Sequence, residues 1–120
     1  MKFTQGDVYW YTIPSKNNTK SIPHPYVIIQ ETVMNQSKID SIVICGITSN
    51  MKKASWPGNI ILNLNEANLT KQSIIDVSQI LTVKKVELGE YIGKLSSDRI
   101  IQIFSGMKLI HSFQEHRKEP

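Results

Sequence analysis

A chain of 120 residues with 40% hydrophobic residues can close one hydrophobic core but is cramped for two, so a single domain over residues 1–120 is expected. Its lone cysteine, Cys45, excludes an intrachain disulfide framework. There is no signal-like apolar leader and no run approaching the roughly 18 apolar residues of a membrane span, which points to a cytoplasmic protein with no membrane partner. With 14 Lys and Arg against 10 Asp and Glu the net charge is +4, which admits a polyanionic partner as readily as it serves solubility.

Gly6-Asp7 opens the first predicted strand, Val8–Ile13, whose aromatic and β-branched side chains suit a pleated, partly buried surface, and Pro14 ends it. Ser15–Ser21 has turn formers and no apolar period and reads as a loop, with Lys16 and Lys20 either solvated or facing phosphates. In Pro23-His24-Pro25 the prolines fix the backbone on both sides of the histidine, and His24, itself before a proline, is held away from the helical region. This stiff turn delivers a titratable side chain to the second predicted strand, Tyr26–Glu31. That strand is nearly continuous in apolar residues and therefore central.

Met34–Asp40 is a polar connection to the third strand, Ser41–Thr48, in which Cys45 reads as a small core residue. The strand ends in Thr48-Ser49-Asn50, hydroxyls and an amide suited to the mouth of a loop. Met51–Gly58 carries Lys52, Lys53 and Trp56 and closes in a Pro57-Gly58 turn. Cations for phosphates beside a ring for a base suit single-stranded nucleic acid; the alternative is that Trp56 covers the edge of the core.

Asn59–Leu64 is the fourth predicted strand and Ser73–Val83 the fifth. In the fifth, Ile74, Asp76, Ser78 and Ile80 share one face and Ile75, Val77, Gln79 and Leu81 the other. Polar residues interrupt both apolar rows, so they need solvent, an interface or a site as partner. Val86–Ile92 reads as a short helical segment. Beyond Gly93-Lys94-Leu95 a helix is expected to Phe113, with Ser96 or Ser97 as N-cap, Asp98 in the first turn, and Ile100, Ile103, Phe104, Met107 and Ile110 as its packing stripe. The tail Glu115–Pro120 is expected to fray.

Five strands and one C-terminal helix, without alternating strand and helix units, exclude a doubly wound sheet and favour a strongly bent antiparallel barrel. The sequence holds no Gly-rich phosphate loop, no Cys/His set at metal spacing and no specific Ser/His/Asp order, so neither a metal nor a nucleotide cofactor is indicated.

Together, Gly6-Asp7-Val8-Tyr9-Trp10, His24-Pro25-Tyr26-Val27-Ile28-Ile29, Ile47-Thr48-Ser49, Ser73-Ile74-Ile75 with Gln79 and Thr82-Val83, and Ile92-Gly93-Lys94-Leu95-Ser96 resemble the MazF/PemK toxin family over nearly the whole chain. The resemblance implies an SH3-like β-barrel of the CcdB/PemK-like type with a C-terminal α-helix, a homodimer, and restraint by an acidic antitoxin, with operator DNA as a partner of the toxin–antitoxin complex. It also implies metal-independent cleavage of single-stranded RNA by attack of the 2′-hydroxyl on the adjacent phosphorus. The alternative is a catalytically silent barrel that binds antitoxin and operator DNA.

In that reading Thr48 stands at the family's functional hydroxyl, and His24 stands where the family commonly has arginine. A histidine, with an ordinary pKa of about 6.5, can exchange a proton near neutrality where arginine cannot. Many relatives have arginine two residues after the glutamine, where this chain has Leu81. One branch has an arginine and an aspartate three and one residues before the glutamine, where this chain has Asp76 and Ser78. The expected catalytic set is thus His24, Thr48 and Asp76, with Asp76 as a base or as the group orienting His24. The expected RNA contacts are Lys16, Lys20, Ser49, Asn50, Lys52, Lys53, Trp56 and Gln79.

Overall fold

The computed structural model describes residues 2–15 and 21–118, with side chains as far as residue 112. Six strands, β1 (Asp7–Tyr11), β2 (His24–Ile28), β3 (Ser41–Thr48), β4 (Ile60–Ile61), β5 (Ile74–Lys84) and β6 (Tyr91–Lys94), form one curled sheet in the order β4-β5-β3-β2-β1-β6. All neighbouring pairs are antiparallel. A short helix, α1 (Thr32–Asn35), joins β2 to β3, and the long helix α2 (Ser97–Lys118) closes the chain.

The curl comes from the central ladder. β3 pairs with β5 from Ser41↔Lys84 to Thr48↔Ile74, but the register shifts between Cys45↔Ile80 and Gly46↔Asp76. Val77, Ser78 and Gln79 therefore bulge out of the ladder, and a bulge bends and twists the strand that carries it. The bent sheet has two covered faces. Val8, Val27, Cys45, Ile47, Ile75 and Val77 pack with Leu95, Ile100 and Ile103 on one side. On the other, Tyr9, Tyr11, Tyr26, Ile28, Ile42 and Ile44 pack with Phe3, and Tyr11 meets Tyr26 edge to face at 5.6 Å. Burial on both faces is the physical reason why β2 and β3 read as nearly unbroken apolar runs.

The edges of the sheet differ from expectation. Of the segment Val86–Ile92, expected to be helical, only a single turn over Lys85–Glu87 is so, and Tyr91–Lys94 becomes the sixth strand. The open edge of β1 accounts for this: Trp10 N–H donates to the Glu90 carbonyl at 3.0 Å and Gly89 N–H to the Trp10 carbonyl at 2.7 Å, and pairing satisfies a whole edge of backbone where an isolated helical turn would not. The expected fourth strand shrinks to Ile60–Ile61, because the chain then turns through left-handed backbone at Asn65, Ala67 and Asn68. That turn reaches across to β6, where Asn68 Nδ2 donates to the Ile92 carbonyl at 3.0 Å, so a side chain rather than a strand pair draws the two sheet edges together.

Ser96 caps α2 with its Oγ accepting from Arg99 N–H at 3.4 Å, Asp98 lies in the first turn, and the helix runs on to Lys118 instead of ending at Phe113. Within the predicted stripe, Ile100 and Ile103 are buried while Phe104 is 44% exposed. Gly106 takes the inner position because α2 crosses the Pro57-Gly58 turn backbone to backbone: a Cβ on Gly58 would stand 2.6 Å from the Gly106 carbonyl oxygen, and one on Gly106 would meet Gly58 in turn.

Candidate active site

A cleft of about 280 Å³ opens at the end of the sheet where β1 and β3 stop and β2 and β5 begin; His24, Thr48, Ser49, Lys71, Ser73 and Trp10 are among its lining residues. Strand register explains the meeting. Tyr26 pairs with Gly46, and His24 and Thr48 each lie two residues further toward the same end, so alternation sends both side chains to one face. Pro23 and Pro25 also line the cleft, but His24 and Pro25 are the first residues of β2, paired with β1, so a strand end stands where the sequence suggested a turn and the strand stops at Ile28 short of Glu31. His24 is exposed and pairs through its backbone with Tyr11.

The Thr48 hydroxyl is oriented by its neighbour. Its Oγ1 accepts from Asn50 N–H at 3.1 Å, which leaves the O–H free to donate into the cleft. Asn50 is itself engaged, since its Oδ1 accepts from Lys52 N–H at 3.2 Å and so caps the turn Met51–Ser55. Asn50 therefore builds the loop mouth, with its side-chain oxygen bonded to the turn and the residue exposed.

Asp76 lies away from the cleft, and Lys53, on its expected loop beside Trp56, is turned toward Asp76. Asp76, 1% exposed, is absent from the cleft lining, and its hydrogen bonds go to Ser78 and Lys53 with none to His24. Its Oδ1 accepts from Ser78 N–H at 3.1 Å and Ser78 Oγ at 2.6 Å, and its Oδ2 is ion-paired with Lys53 Nζ at 3.0 Å. Burial pushes its pKa up, but the bonds from Ser78 and Lys53 outweigh this and hold the carboxyl below the usual aspartate range. A carboxylate so fully occupied is a poor base. The Lys53 ammonium also sits 5.0 Å from the centre of the Trp56 ring, so its charge is spent inside the molecule.

Lys52 and Trp56 remain exposed on the same turn, with Trp56 at 49%. Gln79 is exposed on the β5 bulge, seated over Gly46, where a Cβ would come within 2.9 Å of the Gln79 Cβ. Leu81 packs against the tyrosine-rich core. Lys16 and Lys20 lie outside the described residues. Burial pushes the Cys45 thiol up to about 12, in keeping with a core residue. Among the described residues no three His, Cys, Asp or Glu side chains gather as a metal site, and no helix is long and apolar enough to cross a membrane.

The structure adds lining residues that sequence reasoning missed: Trp10, Asn68, Thr70, Lys71 and Ser73. Lys71 is the important one, a cation placed directly on the cleft. Its only signal was membership of a polar stretch between two strands, which says nothing of where that stretch folds back.

A small curled β-sheet backed by a C-terminal helix, with imidazole, hydroxyl and ammonium groups at one mouth, defines a small β-barrel with a polar, cationic cleft. Residues 4–111 match the family described as PemK-like, MazF-like toxin of type II toxin-antitoxin system, and the chain belongs to that family. It is similar to endoribonuclease MazF6 of Mycobacterium tuberculosis, 24% identical over 92% of this chain and 97% of the relative. It is also similar to endoribonuclease MazF of Staphylococcus epidermidis, 26% identical over 94% and 97%. Among solved structures, MazE-MazF (Form-II) from Deinococcus radiodurans superposes with a TM-score of 0.76 at 12% identity, covering 93% of this chain and 97% of the other. An endoribonuclease in complex with its cognate antitoxin from a mycobacterial species gives 0.67 at 19% identity, covering 87% and 89%. The family and the SH3-like architecture implied by the resemblance are those of the chain.

Proposed function

We propose that this protein is the toxin of a type II toxin–antitoxin pair, a metal-independent endoribonuclease that cleaves single-stranded RNA in the cytoplasm and is restrained by an acidic antitoxin. The single observation that carries the site is the convergence of His24 and Thr48 on one cleft beside Lys71. Relatives named endoribonuclease, and a neighbouring fold solved with its cognate antitoxin, support the activity and the partner.

The substrate carries its own nucleophile, so the protein needs to supply proton transfer and charge stabilisation. His24 removes the proton of the 2′-hydroxyl as the 2′-oxygen attacks phosphorus. Thr48 donates to a phosphoryl oxygen and Lys71 balances its growing charge. The P–O5′ bond breaks, leaving a 2′,3′-cyclic phosphate and a 5′-oxygen that water protonates. Ser49 and Gln79, and the exposed Lys52 and Trp56, take flanking phosphates and bases, together with Lys16 and Lys20. Homodimerisation is part of this reading, supported by apolar groups left outside the core on α2 and β4, namely Ile101, Phe104 and Ile61. Operator DNA is a partner of the antitoxin-bound form.

The test is cleavage of a single-stranded RNA in EDTA, set against the same strand with one 2′-deoxy residue at the scissile position. Cleavage of the first and survival of the second is expected. Tight antitoxin binding with both strands left intact would make the protein a silent barrel instead, a reading favoured by Leu81 and Asp76 having gone to packing and internal pairing.

A further inference from the structure

The turn Met51–Ser55 is tied to the β5 bulge by a closed set of bonds. Lys53 Nζ donates to Asp76 Oδ2 at 3.0 Å, and the Lys53 carbonyl accepts from Asn59 Nδ2 at 3.0 Å. Asn59 Oδ1 then accepts from Val77 N–H in the bulge at 3.0 Å. Within the turn, Lys53 N–H donates to the Asn50 carbonyl at 3.1 Å, and Asn50 N–H donates to Thr48 Oγ1 at 3.1 Å. An unbroken path thus leads from a buried carboxylate to the hydroxyl on the cleft.

We propose that Asp76 is a positioning residue that, through Lys53 and the Met51–Ser55 turn, aims the Thr48 hydroxyl proton at a phosphoryl oxygen of the RNA, an inference that rests on the endoribonuclease reading. A threonine at a strand end can turn its O–H back onto its own backbone. With Asn50 N–H held against Oγ1, the oxygen is fixed in place and one of its lone pairs is occupied, so the O–H donates from the remaining positions. Replacing a buried ion pair with apolar residues is often neutral for stability, so the positioning role assigned to this pair is distinct from a stabilising one. Misplacing a donor by a fraction of an ångström is enough to be felt in rate.

The test uses the full chain and single-stranded RNA, well below the melting transition of every variant. Asp76→Ala is expected to lower kcat by about tenfold to a hundredfold with KM changed by less than about threefold, the pattern of a contact realised in the transition state. Lys53→Met gives the same split from the half-buried end of the pair and serves if Asp76→Ala does not fold. In a Thr48→Ala background, Asp76→Ala should add nothing, because the group it aims is gone. Multiplying losses in the double variant, or an unchanged kcat in folded Asp76→Ala, would overturn the inference. Hydrogen exchange at the Asn50 amide gives a reading without catalysis: exchange should quicken by about tenfold or more in Asp76→Ala and Lys53→Met, and unaltered protection refutes the clamp. If the parent leaves RNA intact, the endoribonuclease reading falls on that result, and the exchange data still decide whether Asp76 holds the turn.

Discussion

Lys53→Met removes one partner of a pair whose other end cannot reach water. Asp76 is 1% exposed and the Lys53 side chain 24%, so the variant leaves a buried carboxylate with Ser78 as its remaining donor. Breaking a fully buried pair costs about 3–5 kcal/mol; here the lysine end is partly wet, which brings the expected loss to about 2–3 kcal/mol at neutral pH. For a domain of this size that is a fall in Tm of about 10 °C. The pH dependence fixes the cause. Because the folded Asp76 carboxyl is held below its ordinary range, its stabilisation is complete above the unfolded pKa of about 3.9 and is lost as pH falls through the folded value. In the variant, burial dominates and the carboxyl protonates more readily. The gap in Tm between parent and Lys53→Met should therefore be widest near pH 7 and narrow steadily toward pH 3. Adding Asp76→Asn should restore much of the loss. Scanning calorimetry across pH measures all of this, and a gap that is absent at pH 7, or constant with pH, refutes the reasoning.

Three further outcomes follow from the geometry. His24→Ala should lower cleavage by about a hundredfold or more while leaving the exposed start of β2 folded. His24→Arg separates charge from proton transfer: retained activity with a flattened pH profile means electrostatic stabilisation, and parental profiles in both variants would make His24 a structural residue of the strand end only. Lys71→Glu and Lys52→Glu should each weaken RNA binding and reduce the slope of log K against log salt by about 0.7 for every phosphate no longer neutralised, read by fluorescence anisotropy. Gly106→Ala should cost about 1–3 kcal/mol or more in urea unfolding, because the added methyl meets the Gly58 backbone and neither chain can give way cheaply.

Much of this molecule was legible because local chemistry repeats along the strands. The apolar runs of β2 and β3 announced elements covered on both faces, and Ser96-Ser97 announced the start of α2, while Pro23 and Pro25 announced extended backbone around His24. Each of these signals is carried by residues adjacent in sequence, where dihedral preference and side-chain alternation act directly. The position of Thr48 at a loop mouth was legible for the same reason, as the small polar residues following it break the strand.

Pairing between distant segments was decided by the tertiary structure. Tyr91–Lys94 had a short, ambiguous pattern, and the free edge of β1 made it a strand. Polar interruptions in β5 announced that Asp76 needed a partner without naming it. The partner, Lys53, lies 23 residues away, and only the register shift at Cys45/Gly46 brings the bulge under the turn that carries it. Lys71 came to the cleft, and Lys53 was withdrawn from it, by the same folding of loops around strand ends. Periodicity determines which face a side chain leaves by. Which other side chain it meets there is determined by register, bulges and loop closure, whose energies belong to the assembled sheet and to no single segment of the sequence.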